Sequence, residues 1–251
     1  MTRFFSLFLF ISLFVSVNSQ NLYYTTENVS KVLNSDKYKR DSVYLINISW
    51  PVFDETKGKT FLAEKLNKFV RNQISGDTMS VAKMVEYMIA TYKEFETEET
   101  MGMYWNYECS IFVTETGNQV VSLHKSEYDY SGGAHGNGFL GYYNFDLNNS
   151  EILMLSDLIE PGSYEKVTKV AEKIFREVTE VGDRDLNEAG YWFEESKFHL
   201  NENFLITEKG LTFFYNSYEI APYAGGPTEL EIPYSAIKDF IKKDGPLKFL
   251  F

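Results

Sequence analysis

The spacing of the apolar residues changes several times along this chain, and the order of those changes constrains the fold. Apolar residues recur every three or four positions from Phe61 to Ile74 and again from Val81 to Phe95, which predicts two amphipathic helices. From Met103 to Val113 they alternate with other residues, which is the period of a half-buried strand. Because helical and alternating segments follow each other in mixed order, we expect an α+β fold with a mixed, mainly antiparallel sheet packed by three to four helices.

Turn residues and caps set the expected limits of the elements. Gly76 follows the first helix as a C-terminal cap, and Asp77 is placed to cap the second helix. Ser163 is placed to cap a third helix, and Pro233 to start a final one. The remaining strands are expected at residues 42–50, 120–130, 138–147, 151–155, 204–207, 211–215 and 228–232.

The N-terminal residues have the pattern of a secretory signal peptide. Arg3 is followed by an apolar run from Phe4 to Val17 that only serine interrupts, and small residues predict cleavage before Gln20. An uncleaved membrane anchor is the alternative. We therefore expect a signal peptide at 1–19, an N-terminal α+β region at 20–125 and a C-terminal α+β domain at 126–251. The mature protein is expected to be secreted or periplasmic, with no membrane insertion.

Charge and cysteine content limit the partners. The chain has 24 basic and 36 acidic residues, and this net charge of −12 would repel nucleic acid and anionic lipid. The same charge would attract a cationic protein, or would serve only to keep an exported protein soluble. Cys109 is the single cysteine, and its alternating pattern predicts a buried apolar residue rather than a nucleophile.

Two segments rich in glycine and tyrosine interrupt the expected strands: loop A, residues 129–138, and loop B, residues 216–227. Glycine lets a backbone enter a narrow groove, and tyrosine offers a rigid ring with a polar tip. We therefore predict that the two loops form one recognition surface. The residues expected to contact a partner are Tyr130, Ser131, Gly132, Gly133, His135, Tyr218, Glu219, Pro222 and Tyr223.

The same loops also contain groups that are used in catalysis. His135 is a candidate for acid–base chemistry near Asp129, but such a histidine also commonly holds a turn by bonding a backbone carbonyl. Glu219 with Asp129 or Glu127 has the residue types of a two-carboxylate glycosidase centre, whereas a glutamate that accepts backbone N–H groups is structural. The histidines lack the spacing of a metal motif and the glycines that of a phosphate loop. We expect no metal and no cofactor.

Three motifs carry a resemblance to a known family. They are Tyr-Ser-Gly-Gly-Ala-His-Gly-Asn at 130–137, Leu-Ser-Asp-Leu at 155–158, and Tyr-Glu-Ile-Ala-Pro-Tyr-Ala-Gly-Gly-Pro at 218–227 with Ile-Pro-Tyr at 232–234. In this order they resemble the bacterial domain of unknown function 3298, over about residues 126–243. Residues 40–120 are similar, more weakly, to its usual companion, the domain of unknown function 4163.

The resemblance implies a binding module. The family includes the exported domain of the lysozyme-sensing anti-sigma-V factor, whose two corresponding loops approach the cleft of bound lysozyme. This implies contacts from Ser131, Pro222 and Tyr223. We therefore expect a non-enzymatic protein that recognises a cell-envelope component, either lysozyme or another cationic envelope protein, or peptidoglycan glycan. A cell-wall glycan-processing enzyme that uses Glu219 with Asp129 or His135 is the alternative.

Overall fold

The structure is a computed structural model, and it describes residues 12–15, 22–35, 40–97, 100, 103–116 and 119–251. Their nine strands are β1 Ser12–Val15, β2 Tyr24–Ser35, β3 Arg40–Phe53, β4 Trp105–Thr116, β5 Val120–Tyr130, β6 Asn137–Asp146, β7 Phe204–Ile206, β8 Gly210–Tyr215 and β9 Thr228–Pro233. Their five α-helices are α1 Thr60–Ser75, α2 Val81–Phe95, α3 Leu155–Leu158, α4 Tyr164–Val178 and α5 Tyr234–Ile237.

The strands form two sheets. One has six strands in the order β1 to β6, and the other has three strands in the order β7 to β9. Strands β2 and β3 pair antiparallel, whereas β3 and β4 pair parallel because α1 and α2 connect them. The predicted α+β fold with a mixed, mainly antiparallel sheet is confirmed. Three of the helices are long, and α3 and α5 are single turns of four residues.

The chain divides into two compact units. Of the described residues, those up to 112 and those at 125–138 form unit 1, and those at 113–124 and 139–251 form unit 2. Strands β4, β5 and β6 therefore contribute residues to both units. The domain limits expected from the sequence stay a prediction. Most of the predicted signal peptide lies outside the described residues, which include only Ser12–Val15 of it.

In unit 1, helix α1 packs a buried stripe of Leu62, Leu66 and Val70, as the apolar spacing predicts. Gly76 ends the helix with a φ of +75° and donates its N–H to Asn72. The exception to the stripe is Phe61, which lies in the first turn and is 61% exposed.

The predicted cap of α2 is wrong by three residues. Helix α2 begins at Val81, and Ser80 rather than Asp77 is the capping residue. The Ser80 hydroxyl accepts a hydrogen bond from the Lys83 N–H at 3.3 Å, a bond that Asp77 lies too early in the chain to make. The buried positions of this helix are Val85 and Tyr92.

Strand β4 buries the face that the alternation predicts. Tyr107, Cys109 and Ile111 are all buried, and Cys109 has no exposed surface. Burial raises the pKa of the Cys109 thiol to about 11. Cys109 is therefore a core residue, as expected.

In unit 2, helix α4 packs Val167, Ala171 and Phe175 onto one core with the buried residues of β7, β8 and β9. The strand expected at 151–155 is wrong. Ile152 forms an isolated bridge to Phe145, and Leu155 begins the short helix α3. No helix in the described part of the chain has the length and apolar character that a bilayer crossing requires.

Candidate functional site

Loop A connects β5 to β6 in unit 1, and its glycines meet a backbone requirement. Gly132 has a φ of +103° and Gly133 a φ of +97°, in the region that side chains disfavour. The Tyr130 hydroxyl donates a hydrogen bond to the Gly133 carbonyl at 3.1 Å. This bond holds the reversal closed and uses the polar tip of a residue that the sequence assigns to partner contact.

Loop A has neighbours that sequence reasoning did not find. A Cβ atom added to Gly132 would lie 2.7 Å from Met103 Cε, and one added to Gly136 would overlap the Tyr128 ring. Met103, Tyr104 and Tyr128 are 37%, 40% and 38% exposed. The alternating pattern predicted that Met103 would share the buried face of β4. Together with Tyr104 and Tyr128, the exposed Met103 adds apolar and aromatic surface next to loop A.

The polar residues of loop A are accessible. Ser131 and His135 are exposed, and Asp129 is half-buried. The His135 ring Nδ1 lies 3.1 Å from the Gly136 carbonyl oxygen, which is the arrangement expected of a histidine that holds a turn. Burial raises the pKa of Asp129, and a hydrogen bond from Ser131 opposes this rise.

Glu127, one of the carboxylates considered for a catalytic pair, is already paired within unit 1. Its Oε2 lies 2.5 Å from Lys125 Nζ, and its Oε1 accepts a hydrogen bond from the Tyr107 hydroxyl at 3.2 Å. Lys125 Nζ also donates to the Gln73 carbonyl at 2.8 Å. These bonds link β4, β5 and α1, so the role that they indicate for Glu127 is structural.

Loop B follows β8 in unit 2 and presents two tyrosine rings. Their centroids are 5.6 Å apart and their planes are tilted by 34°. Tyr218 has a φ of +69° and is 51% exposed, whereas Tyr223 is half-buried at the start of a short 3-10 turn. Pro222 before it is exposed. The ring pair is therefore presented at the surface of its unit.

Asparagine and glutamate side chains hold loop B in place. Asn216 Oδ1 accepts from the Leu140 N–H at 2.7 Å, and its Nδ2 donates to the Leu140 carbonyl at 3.0 Å. Glu219 Oε2 accepts from the Asn216 N–H at 2.8 Å, and its Oε1 accepts from Asn201 Nδ2 at 2.7 Å. Both carboxylate oxygens of Glu219 therefore stabilise the loop, which is the structural alternative that the sequence left open.

A third aromatic residue adjoins loop B. Trp192 donates its backbone N–H to the Ile220 carbonyl at 2.8 Å, and its side chain is 50% exposed. The neighbouring Phe193 is buried, at 2% exposure. No periodic signal near residue 192 indicates that it lies beside loop B.

The predicted site residues are thus accessible or half-buried within their own units. Loop A belongs to unit 1 and loop B to unit 2, and the joint surface expected from the sequence stays a prediction. Within the described residues, no group of three or more His, Cys, Asp and Glu side chains is arranged to hold a metal ion.

Two family models match separate parts of the chain. Residues 37–138 match the family described as Deacetylase PdaC, and residues 156–235 match the family described as Protein of unknown function (DUF3298). The N-terminal similarity is thus to the PdaC family rather than to the expected domain 4163. The motif at 130–137 falls in the first match, whereas the motifs at 218–227 and 232–234 fall in the second.

A curated relative and several solved structures are similar to the chain. The peptidoglycan-N-acetylmuramic acid deacetylase PdaC of Bacillus subtilis (strain 168) is 23% identical over 134 residues, which are 52% of this chain and 28% of the relative. The match therefore spans about a quarter of that enzyme's length.

Two of these solved structures share the fold. The crystal structure of a DUF3298 family member from Bacteroides fragilis superposes with a TM-score of 0.72 at 24% identity, covering 92% of this chain and 97% of that chain. A DUF3298 family protein from Pseudomonas aeruginosa PAO1 superposes with a TM-score of 0.62 at 23% identity, covering 87% and 94%. The match to the DUF3298 family covers residues 156–235, which include loop B and its motif.

Proposed function

We propose that this protein is an exported, non-enzymatic module that binds a cell-envelope component through loops A and B. The observation that carries the proposal is the ring pair of Tyr218 and Tyr223, held at the surface on a loop fixed by hydrogen bonds of Asn216 and Glu219. A fixed aromatic pair loses little conformational freedom on binding, which favours affinity.

The proposal favours binding over catalysis because of how the polar groups are used. Glu219 accepts hydrogen bonds at both oxygens, and His135 contacts a backbone carbonyl next to it in the chain. Groups engaged in this way stabilise a loop conformation. The alternative, a glycan-processing enzyme that uses Glu219 with Asp129 or His135, requires the same carboxylate to leave these partners.

Peptidoglycan glycan is the first candidate ligand. The curated relative carries peptidoglycan in its name, and the match to it covers about a quarter of its length. Tyrosine rings with an accessible face and a polar hydroxyl suit the alternating apolar and hydroxyl surfaces of a sugar. The exposed Trp192 beside loop B adds a further ring of the same kind.

A lysozyme-like enzyme is the second candidate, favoured by charge. The net charge of −12 would steer a cationic protein to this chain. Ser131 and Pro222, which the resemblance assigns to lysozyme contact, are both exposed, and Tyr223 is half-buried.

Titration calorimetry with soluble peptidoglycan fragments and, separately, with lysozyme tests the proposal. We expect the Tyr223→Ala variant to bind its ligand more weakly by ~1 to 4 kcal/mol, because the ring is an anchor. Tyr87→Ala is the matched control, since Tyr87 is 66% exposed on α2 and outside both loops. The absence of affinity for either ligand, or equal losses in the two variants, contradicts the proposal.

Incubation with peptidoglycan fragments tests the catalytic alternative. We expect the wild-type protein to leave the fragments intact, and Glu219→Gln to retain binding because the amide oxygen still accepts one loop hydrogen bond. Mass spectrometry of the fragments gives the readout. Cleavage or deacetylation by the wild-type protein that Glu219→Gln abolishes would establish the enzyme instead.

A further inference from the structure

Unit 1 contains a cavity that none of the functional arguments above uses. It has a volume of about 300 Å³ and is lined by residues of β2, β3, α1 and the start of α2. Its apolar walls include Trp50, Val52, Val70 and Val81. This volume lies at the lower end of the range of small-molecule sites, roughly 300 to 1,000 Å³, so a ligand of this cavity would be small.

Most polar groups of the cavity lining already have partners. Asn67 bonds both the N–H and the carbonyl of Phe53, at 2.8 and 2.9 Å. The Ser75 hydroxyl donates to the Met79 carbonyl at 2.7 Å, and the Ser80 hydroxyl accepts from the Lys83 N–H. These groups shape the wall of the cavity. A ligand could bind them only if their present hydrogen bonds were broken.

Two charged side chains of the lining remain, and they have opposite signs. Glu27 and Arg71 are exposed, and neither side chain forms an ion pair or hydrogen bond with another residue in the part of the chain that the structure describes. Glu27 lies opposite Trp50 in the β2–β3 register, so both side chains project from the same face of the sheet. Arg71 follows the buried Val70 on α1.

We propose that this cavity binds a short zwitterionic peptide with small apolar side chains. The peptide carboxylate accepts hydrogen bonds from the Arg71 guanidinium, whose planar shape suits a carboxylate. The peptide ammonium donates to the Glu27 carboxylate, and the side chains pack on the half-buried Val52 and Val81. A ligand that carries both charges can pair with both side chains, whereas a ligand with a single charge can pair with one of them.

Titration calorimetry of the full chain with alanyl-alanine, as the L,L and the D,D isomer, tests the proposal. We expect saturable binding of at least one isomer, and Arg71→Gln to weaken it roughly tenfold or more because a charge-assisted contact is lost. Alanyl-alanine amide, which lacks the carboxylate, should bind weakly and with the same affinity to the wild type and to Arg71→Gln. N-acetyl-alanyl-alanine, which lacks the ammonium, should bind weakly and with the same affinity to the wild type and to Glu27→Gln.

Lys68→Gln is the matched control, since Lys68 is exposed on α1 and does not line the cavity. Thermal unfolding of each variant verifies that the fold is kept. Absence of binding for both isomers overturns the proposal, as does an affinity that neither Arg71→Gln nor Glu27→Gln reduces beyond the control. None of these variants lies in loop A or loop B. The outcome is therefore independent of the test of envelope binding.

Discussion

Gly132 in loop A combines a positive φ with a close side-chain neighbour. Its φ of +103° disfavours any side chain, and an added Cβ would meet Met103 Cε at 2.7 Å. We therefore expect Gly132→Ala to lower the free energy of unfolding by about 1 kcal/mol or more in urea titrations. Gly138→Ala is the control, because a Cβ at Gly138 meets no atom within 4 Å. Equal stabilities of the two variants would show that loop A tolerates the side chain.

At the scale of single residues, sequence reasoning predicted properties that depend on neighbours in the chain. It predicted the burial of Cys109, and it included among the alternatives the turn-holding contact of His135. It missed contacts between distant positions. Asn201 meets Glu219 across 18 positions, and Trp192 meets Ile220, because the fold brings separate segments together. No local pattern contains that information.

At the scale of elements, Asn144 joins three strands of unit 2. It is 2% exposed, and its side chain bonds the Ser122 hydroxyl of β5 and the Phe204 carbonyl of β7, both at 2.7 Å, and the Ile206 N–H at 3.2 Å. We expect Asn144→Ala to reduce the unfolding free energy by roughly 2 to 4 kcal/mol, since buried polar groups lose their partners. Chemical denaturation measures this loss.

The control for this variant is Asn148→Ala, at an exposed position just after β6. Its side-chain hydrogen bond to Asp146 lies at the surface, where water replaces it. A loss for Asn144→Ala no larger than that of the control would mean that the three strands are joined by apolar packing alone.

The limits of the elements were predictable where the signal is long and periodic. Helix α4 begins directly after Ser163 and strand β5 spans residues 120–130, as the sequence predicts. The errors fall on short segments. Four residues such as Leu155–Leu158 fit a strand or a helical turn equally well, and the bond from the Met154 N–H to Asp157 Oδ2 at 2.8 Å favours the turn. Both Asp77 and Ser80 are good capping residues, and the residue types alone do not distinguish between them.

At the scale of the whole molecule, fragments of the chain can test the domain limit predicted between residues 125 and 126. A fragment that begins at residue 126 lacks Val120, which is 1% exposed in the core of unit 2, and lacks Ser122, the partner of Asn144. A fragment of residues 113–251 keeps both. We expect the longer fragment to unfold cooperatively at a clearly higher temperature than 126–251, as measured by circular dichroism. Equal melting temperatures would support the limit expected from the sequence.

We expect the burial of Cys109 to make the native protein unreactive toward maleimide dyes. The chain has one cysteine, its side chain has no exposed surface, and its pKa of about 11 leaves little thiolate at neutral pH. A cysteine introduced at an accessible position such as Ser131 would be the single site of labelling in the folded state. A fluorophore placed there would report ligand binding in solution, and the native Cys109 would not have to be replaced.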